Sequence, residues 1–569
     1  MSFTLTSPAP MPANGMRELT PKELALRASA MACIQQLESA QCQGQAFVSL
    51  FFDGTGNNKD WKEPALGGKQ TQTDLGKHSN VARLYNVALD RSDDGFFSHY
   101  IPGVGTPFPD IGDGGGSLGM STGYMGADRI NWGITRVLNS AAVYLTGHDL
   151  FDKKMIRVEI LIASSNSLGP AANRSFRPEL KKLADVVARS QRKLTSINVA
   201  AFGFSRGAAQ ARVFVNWLAE MAKQNDGSLA LAGVPLRFYF LGLFDTVASV
   251  GIPDAVPGFE GHMSWANGKL GIHPSVERCA HFIALHEQRA SFPLELAERA
   301  TQVTYPGVHS DVGGGYLPTE QGKLSQLSQI PLIDMHYEAM KSGVPLLDSN
   351  EIGRRDDLLK DFHCPKPLIE AYNAYLDTHG SSSVSGKDAV VDVIHQHTRQ
   401  YLQWRGDLLE SWQGLKTRDF YRRATSSDQK QLLMANTDLS NQMAVLDQRI
   451  HIEDGSALDK AAAISLYANT GKFDEMLQPV DASTRDMLAT LRRHAPLPPA
   501  VVRVLDDYVH DSRAGFRPLS NAEPYSVTGG YLRYRTVFSQ PSRNAALAAS
   551  DAADVQATEP PTSSSAALA

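Results

Sequence analysis

The feature that most constrains this chain is a short motif between an apolar run and a helical pattern. Residues 197–202 are almost wholly apolar and predict a buried strand. The motif that follows, Gly203–Gly207, reads G-x-S-x-G, and residues 213–221 then repeat large apolar side chains at helical spacing. A strand, this motif and a helix in succession are what a nucleophile elbow requires. We therefore expect a sheet whose strand ends in a sharp turn that carries Ser205.

The residue types in this turn fit a catalytic role. Gly203 and Gly207 have no Cβ, so the turn closes without collision and the helix starts against the strand. Ser205 is expected to adopt a sparsely populated backbone conformation that projects its hydroxyl above the sheet. The backbone N–H of Arg206 is then placed to stabilise an oxyanion. A plain glycine-flanked turn with a capping serine is the other interpretation, and the flanking strand and helix favour catalysis.

Strand and helix patterns alternate from about residue 46 to residue 330. This alternation predicts an α/β fold of the α/β-hydrolase type, with a doubly wound, mostly parallel sheet and a largely helical C-terminal region. The predicted strands are residues 46–52, a short strand ending at 100–101, and residues 156–164, 197–202, 236–244, 279–285 and 302–305. The predicted helices between them are residues 130–145 and 180–193.

We predict four regions along the chain. Residues 1–45 form an N-terminal arm and a helix, of which residues 1–20 look loose. Residues 46–330 form the catalytic domain, and 331–540 form a mainly helical accessory region. Residues 541–569 are too poor in bulky side chains to fold and are expected to be a disordered tail. Within the helical region, the apolar spacing between residues 432 and 450 indicates a helix hairpin or short coiled coil, and residues 529–538 a late strand.

Three candidate catalytic residues stand where predicted strands end. Ser205 follows the strand 197–202, Asp245 follows the apolar run 236–244, and His309 lies in a glycine-rich loop after 302–305. Serine, acid and histidine occur in this order in α/β-hydrolases, where the histidine takes the serine proton and the acid orients the histidine.

Two alternatives to these assignments stay open. Asp311 is the alternative acid, although orienting a ring only two residues away is geometrically awkward. His510 is the alternative base. An aspartate at a strand end is also a common cap, and a histidine before glycines is a common turn residue.

The turn after the first strand, Asp53–Asn58, is the second candidate site element. Gly54 or Thr55 is expected to supply the second N–H of the oxyanion hole, at the sheet edge where α/β proteins bind ligands. The other interpretation is an ordinary turn in which Asp53 is a cap. Asp53 beside Asn57 also permits a cation site, although one carboxylate is weak evidence for it.

Two further features surround the predicted site. The side chain of Arg206 is placed either to bind a phosphate oxygen or to lie in solvent at the helix start. The long glycine-rich loop between Gly103 and Gly126 is unusual unless it is functional. Its apolar side chains are expected to form a lip over the site: Leu118, Met120, Tyr124 and Met125.

Composition excludes several classes of protein. The net charge of −5, from 55 basic and 60 acidic residues, carries no signature of nucleic-acid binding. There is no apolar run of about 18 residues that predicts a transmembrane helix. The first 18 residues have no signal-peptide pattern. The four cysteines lack metal-ligand spacing, and we expect neither a metal nor a cofactor.

The blocks around these residues resemble a known family. They are similar to the α/β-hydrolase domain of the type six lipase effectors, family one, which are phospholipase toxins of bacterial type VI secretion. The resemblance covers about residues 46–345. The similar blocks are residues 51–58, 203–208, 244–249 and 306–316, with a further block at 508–514 near the C-terminus.

The resemblance implies a function as well as a fold. Ser205 would be the nucleophile, His309 the base, Asp245 the orienting acid, and the turn at Gly54 part of the oxyanion hole. The reaction would be hydrolysis of acyl esters in membrane glycerophospholipids by a phospholipase of the A1 or A2 type, without a metal. The region after 330 would dock on the membrane.

The resemblance also implies how the protein acts in the cell. It would be made in the cytoplasm without a signal peptide and delivered by the type VI system to the periplasm of a target bacterium. Its partners would be the lipid substrate, a secretion-spike protein and a cognate immunity protein, and no nucleic acid. The alternatives are a cytoplasmic serine esterase or thioesterase acting on small substrates, and a non-catalytic membrane- or partner-binding protein on a hydrolase scaffold. A metal-dependent hydrolase built on Asp53, His309 and Asp311 is a more distant one.

Overall fold

The computed structural model of the protein describes most of the chain between residues 3 and 539. The described residues are 3–36, 43–150, 152, 154–157, 160, 176–249, 264–266, 268–409, 414–467, 476–493, 495–516 and 531–539. The predicted tail, residues 541–569, lies outside this part of the chain.

The described residues contain a large central sheet and a small second one. The strands of the central sheet are β1 (Thr4–Thr6), β2 (Gln43–Phe52), β3 (Phe96–Ile101), β4 (Lys193–Phe204), β5 (Ala230–Leu231), β6 (Val234–Phe244), β7 (Cys279–Ala284), β9 (Thr301–Tyr305) and β10 (Ser383–Ser385). The small sheet pairs β8 (Leu294–Leu296) with β11 (Val537–Ser539). The order in the central sheet is β10-β1-β9-β7-β6-β4-β2-β3, and β5 forms a hairpin with β6. The pairs along this path are parallel except β1 with β10.

The strand order places the site. From β2 the chain moves outward to β3, and it then returns to β4 on the other side of β2 and continues through β6, β7 and β9. The crevice at such a reversal, outside the carboxyl ends of the strands, is where doubly wound proteins bind ligands. The loops after β2 and β4 therefore start next to each other, and these loops carry residues 53–58 and Ser205.

Helices cover both faces of the sheet, because its central strands are apolar on both sides. Leu50 and Phe52 belong to one core cluster, and Phe51 belongs to the other, as expected from alternation along a strand. The helices of eight or more residues are Pro21–Gln36, Gly126–Thr146, Arg177–Arg189, Arg206–Ala222, Gln329–Lys341, Lys366–His379, Lys387–Leu409, Ser426–Asp454, Ala457–Tyr467, Ala482–Leu491 and Pro499–Asp507. The shorter helices are Asn80–Asn86, Ser117–Thr122, His309–Gly313, Ser349–Gly353, Asp356–Phe362, Gly414–Thr417 and Asp419–Arg423.

The predicted fold class is confirmed. The sheet is mostly parallel, helices lie on both faces, and the residues after 330 are largely helical. The predicted boundaries at 45, 330 and 540 stay predictions. The edge strands β1 and β10 come from outside 46–330, so the sheet recruits residues from both flanking regions.

Two predictions about strands and loops are wrong. Residues 154–157 and 160 are helical, whereas the sequence predicts a strand at 156–164, of which 158–159 and 161–164 lie outside the described residues. Ile156 and Ile160 are both buried and four residues apart, which is the spacing of one face of a helix. The N-terminal arm is not loose at Thr4–Thr6, which pairs with β9 and β10.

Three further predictions change in detail. The region 432–450 is part of one 29-residue helix, not a hairpin or coiled coil, because its apolar face packs against the helices 387–409 and 482–491. Of the predicted late strand 529–538, only the last two residues are in β11, and 529–530 lie outside the described residues. The loop 103–126 contains a short helix, Ser117–Thr122. Among the described helices, none is long and apolar enough to cross a membrane.

Candidate active site

Ser205 lies in a strained turn between a strand and a helix. β4 ends at Phe204, the helix starts at Arg206, and Ser205 between them has φ 60° and ψ −127°, which side-chain-bearing residues rarely adopt. Its N–H donates to the Phe244 carbonyl at 3.0 Å, and its carbonyl accepts the Ala208 N–H at 3.0 Å. The motif therefore has the elbow geometry that it predicts.

The two motif glycines are required by close backbone contacts. A Cβ on Gly203 would lie 2.5 Å from the Cα of Ala208, across the turn itself. A Cβ on Gly207 would lie 2.3 Å from the carbonyl oxygen of Phe52, at the end of the neighbouring strand β2. The elbow helix can therefore approach the ends of β2 and β4 only with glycine at both positions.

The structure brings Asp245 and His309 together. Asp245 follows β6 directly and has φ 40°, and His309 begins a short helix in the loop after β9. The Nδ1–H of His309 donates to Oδ2 of Asp245 at 2.5 Å, with both residues buried. A carboxylate only accepts hydrogen bonds, so the neutral ring carries its proton on Nδ1 and Nε2 is the acceptor.

The free nitrogen of His309 lies close to the elbow. The His309 ring packs against the ring of Phe204, the residue before Ser205, with 4.5 Å between the centroids. Nε2 of His309 is buried and has no hydrogen-bond partner among the described residues, and the same residues offer no partner to the Ser205 hydroxyl. The ring that carries this unpartnered nitrogen thus packs on the residue before Ser205, and no hydrogen bond joins Nε2 to the Ser205 hydroxyl.

Charges around the pair suit acid–base chemistry. Burial lowers the pKa of His309 and outweighs the opposing effect of the hydrogen bond that Nδ1–H donates to Asp245, so the ring is held neutral, as a general base requires. Burial alone would raise the pKa of Asp245, but Arg535 and His309 outweigh it and hold that pKa below its ordinary value. Asp245 therefore stays ionised.

Arg535 is a site residue that sequence reasoning missed. Its guanidinium donates to both carboxylate oxygens of Asp245, at 2.9 Å and 2.8 Å, from a position 290 residues further along the chain. Its side chain is 1% exposed, just ahead of β11. The only sequence feature that could have indicated this contact is the presence of an arginine in the predicted late strand 529–538.

His286 and Glu287 were missed as well. They follow the end of β7 after one intervening residue and hold the backbone of the His309 loop. The Gly307 N–H donates to Nδ1 of His286 at 2.9 Å, and the His309 N–H donates to Glu287 at 3.1 Å. Burial alone would raise the pKa of Glu287, but the positive charge of nearby Arg289 outweighs burial and lowers this pKa to about 2. The carboxylate is therefore charged.

The oxyanion-hole prediction needs a correction. The N–H of Gly54 donates to Oδ1 of its neighbour Asp53 at 2.7 Å and is therefore occupied. The N–H groups of Thr55 and Arg206 have no partner among the described residues. The Nε–H of Arg206 donates to the Thr55 hydroxyl at 2.7 Å and ties the turn after β2 to the elbow.

Asp53 builds this turn rather than a cation site. Its carboxylate accepts hydrogen bonds from the hydroxyls of Ser79 and Tyr100, each at 2.5 Å, besides the N–H of Gly54. Burial raises its pKa to about 6 against these hydrogen bonds. Across the described residues, no cluster of three or more histidine, cysteine or acidic side chains is arranged to hold a metal ion.

The alternative acid and base pair with each other. Nδ1 of His510 lies 2.6 Å from Oδ1 of Asp311, and Oδ2 of Asp311 accepts the N–H groups of Val308 and His510. The His510 ring stacks on Tyr316 at 3.8 Å between centroids. Asp311 therefore does not orient His309, and His510 is not held by Asp245.

Arg206 is buried instead of solvated. Its guanidinium donates to the Met120 carbonyl, and Nη1 has no partner among the described residues. Burial lowers its pKa to about 10. Arg206 thus ties the elbow to the predicted lip, where Met120 and Tyr124 are 38% and 58% exposed and Met125 is partly buried. The side chain of Leu118 lies outside the described residues.

Comparison with protein families gives one match. Residues 224–338 match the family model of the type VI secretion system phospholipase effector Tle1-like catalytic domain. This match confirms the resemblance to type VI phospholipase effectors. It includes Asp245 and His309, and Ser205 lies 19 residues before its start (224 − 205).

Solved structures add information about the fold. An uncharacterised protein from Pseudomonas aeruginosa is similar to this chain at 24% identity, with a TM-score of 0.71, over 95% of this chain and 85% of its own. The Tle1 effector bound to the VgrG spike of the type VI secretion system matches at 22% identity with a TM-score of 0.26, over 48% of this chain and 52% of its own. No curated protein matches the chain. The first of these structures supports the fold alone.

Proposed function

We propose that this chain is a serine phospholipase of the A type that acts as an antibacterial type VI secretion effector. The observation that carries the proposal is the buried His309–Asp245 pair, whose Nε2 is unpartnered beside the strained turn at Ser205. The Tle1-like match over residues 224–338 supports a phospholipid as the substrate.

In the proposed reaction, Ser205 Oγ attacks the acyl carbonyl while His309 Nε2 takes its proton. Asp245 stabilises the resulting imidazolium. The N–H groups of Arg206 and Thr55 stabilise the tetrahedral oxyanion. The lysophospholipid leaves with the proton from His309, and Ser205 keeps the acyl group. Water, deprotonated by His309, then attacks the acyl-enzyme and releases a fatty acid and free serine.

The surroundings of the elbow suit a lipid substrate. Met120 and Tyr124 are exposed on the loop that Arg206 holds against the elbow. An enzyme that reaches an acyl chain in a bilayer presents apolar side chains close to its active site. These two side chains therefore favour a lipid over a small polar ester.

Product analysis on vesicles tests the activity. The substrate is a phosphatidylglycerol–phosphatidylethanolamine vesicle with different acyl chains at the two glycerol positions. The wild type should release fatty acid and lysophospholipid, and the chain released assigns A1 or A2 specificity. Ser205→Ala should lose roughly a thousandfold or more in rate. Retained activity in Ser205→Ala would contradict the serine mechanism.

Two further assays separate the alternatives. Hydrolysis of a short-chain ester without hydrolysis of vesicles would favour an esterase on small substrates. A fluorophosphonate probe should label the wild type and not Ser205→Ala. A wild type that neither reacts with the probe nor hydrolyses either substrate would favour a non-catalytic binding protein on this scaffold.

The proposed delivery is testable in the producing bacterium. The protein should reach the periplasm of a neighbouring cell only when the secretion apparatus and its spike are intact. Expression of the wild type in the periplasm of a sensitive cell should inhibit growth, and Ser205→Ala should not. A cognate immunity protein should suppress this inhibition. Equal toxicity of Ser205→Ala would contradict an enzymatic basis for it.

A further inference from the structure

The carboxylate of Asp245 is fully engaged on both oxygens. Oδ2 accepts Nδ1–H of His309 at 2.5 Å and an N–H of Arg535 at 2.8 Å. Oδ1 accepts the other Arg535 N–H at 2.9 Å and the backbone N–H of Ala284 at 2.9 Å. Two oxygens with two hydrogen bonds each use the whole acceptor capacity of a carboxylate. The plane of the Asp245 side chain is therefore set by Arg535 as much as by His309.

Arg535 is itself held from several sides. Its Nε–H donates to the Phe292 carbonyl at 2.8 Å, and Nη1 also donates to the Ala284 carbonyl at 3.2 Å. The next residue, Thr536, accepts the Leu294 N–H at 2.8 Å, where β11 begins to pair with β8. The docking of residues 531–539 on β8 thus places the guanidinium on Asp245.

The physical effect of this contact follows from burial. Asp245 is 0% exposed, and an unpaired buried carboxylate is driven towards its protonated form. A protonated Asp245 would not stabilise an imidazolium on His309. The positive charge of Arg535 also opposes protonation of the His309–Asp245 pair as a unit, and so keeps the pair in its basic form to lower pH.

We propose that Arg535 is a positioning residue for the His309–Asp245 pair, and that this pair is in working geometry only when residues 531–539 are docked on β8. This inference rests on the proposed function, because it assigns Arg535 a role in the same site. The site then depends on residues from three distant parts of the chain. The last of these parts is the segment 531–539.

Substitution of Arg535 tests the inference in the full-length protein. Arg535→Met keeps the length of the side chain and removes its charge, and Arg535→Lys keeps the charge and loses the two-pronged contact. Arg533→Met is the matched control, since Arg533 is on the same segment and donates to Thr536 rather than to Asp245. The assay is hydrolysis of a short-chain ester from pH 5 to pH 9, with kcat and KM determined separately.

The expected results distinguish positioning from simple stabilisation. Arg535→Met should lower kcat roughly 10- to 1,000-fold, less than loss of the orienting acid itself, with KM nearly unchanged. Loss of a cation beside the pair should move the acidic limb of kcat/KM upward by about one pH unit. Arg535→Lys should recover part of both effects, and Arg533→Met should stay within about twofold of the wild type. A lower kcat with an unmoved acidic limb would overturn the proposal.

A second readout does not depend on catalysis. Titration of ¹⁵N-labelled histidine by NMR, with the His309 signals assigned from His309→Gln, should show a higher apparent pKa for His309 in Arg535→Met than in the wild type. If the wild type hydrolyses nothing, the proposed function fails while this titration still decides the role of Arg535. If Arg535→Met does not fold, Arg535→Gln, which also removes the charge but can still donate a hydrogen bond, decides it, and identical His309 titration in Arg535→Gln and the wild type would overturn the proposal.

Discussion

Two of the buried histidine–aspartate pairs in the described part of the chain look alike at close range. His309 lies 2.5 Å from Asp245, and His510 lies 2.6 Å from Asp311, in each case through Nδ1. In both pairs Nε2 is buried and has no partner among the described residues. Each ring also packs on an aromatic neighbour, Phe204 for His309 and Tyr316 for His510.

Their surroundings differ. Asp245 stands at the end of a central strand, and His309 packs beside the elbow that carries Ser205. Asp311 accepts two backbone N–H groups besides the His510 ring, so its carboxylate organises a loop and the junction with residues 508–514. A histidine–aspartate pair is thus not a catalytic centre in itself, and its place beside a strained serine distinguishes the proposed one.

The largest contrast is expected between the two histidines. His309→Gln should lower the rate of ester hydrolysis by roughly a thousandfold or more, because no other described group replaces the base. His510→Gln should leave the rate within about threefold but lower the free energy of unfolding by roughly 1–3 kcal/mol, because Asp311 loses a partner. Initial rates and urea unfolding of both variants measure the contrast. A large rate loss in His510→Gln with an intact fold would remove the distinction.

The two aspartates should differ in the same sense. Asp245→Asn should cost roughly 100- to 10,000-fold in kcat, because the amide cannot hold the His309 proton on Nδ1 and stabilise an imidazolium. Asp311→Asn should act on stability, since the amide has one acceptor oxygen for three donors. Its unfolding free energy should fall by roughly 1–3 kcal/mol. If Asp311→Asn stayed fully folded but lost kcat as severely as Asp245→Asn, Asp311 would belong to the site.

A smaller effect should separate the packing of the two rings. A Cβ on Gly313 would lie 2.0 Å from the Phe204 ring. His309 packs on this ring, whereas His510 packs on Tyr316. Gly313→Ala should therefore displace Phe204, cost roughly 1–3 kcal/mol in stability and lower the rate. Gly353→Ala is the control, because no atom lies within 4 Å of its added Cβ. Equal stability and rate in the two variants would mean that Phe204 does not set the position of His309.

Acid stability sharpens the comparison further, because histidines outside both pairs titrate too. Burial lowers the pKa of His281 to about 3, of His336 to about 4 and of His397 to about 3. The unfolded chain then binds more protons than the folded one below about pH 6.5, so stability is full above that pH and falls as the pH drops. At pH 5 each histidine should cost roughly 2 kcal/mol.

Asp53 opposes this trend, since burial raises its pKa to about 6 and folding then favours its protonation below that pH. Three histidines outweigh one carboxylate, so the unfolding midpoint in urea should be lower at pH 5 than at pH 7.5. His336→Gln should lessen the difference. If stability does not change between the two pH values, an acidic loss of activity can be assigned to the His309–Asp245 pair without a correction for unfolding.

Much of the site was predictable because it rests on local rules. The elbow follows from an apolar run and two glycines. A Cβ on Gly203 or Gly207 would lie only 2.5 Å or 2.3 Å from a backbone atom, so neither position accepts a side chain. The positions of Asp245 after β6 and of His309 after β9 follow from the same alternation, since parallel strands end at one edge of a sheet. The helix around Ile156 and Ile160 was not predictable, because a short apolar run fits a buried helix as well as a buried strand.

The sequence alone therefore determined the α/β sheet, its elbow and the strand ends that carry Ser205, Asp245 and His309, since these depend on neighbouring residues and on strand periodicity. Only the tertiary structure decided which groups pair. Arg535 pairs with Asp245 across 290 residues, and Asp311 pairs with His510. The N–H of Gly54 donates to Asp53, whereas the N–H of Thr55 has no partner among the described residues. The reason is physical: a buried donor or acceptor takes the partner that the packed chain brings within about 3 Å, and separation along the sequence does not enter that choice.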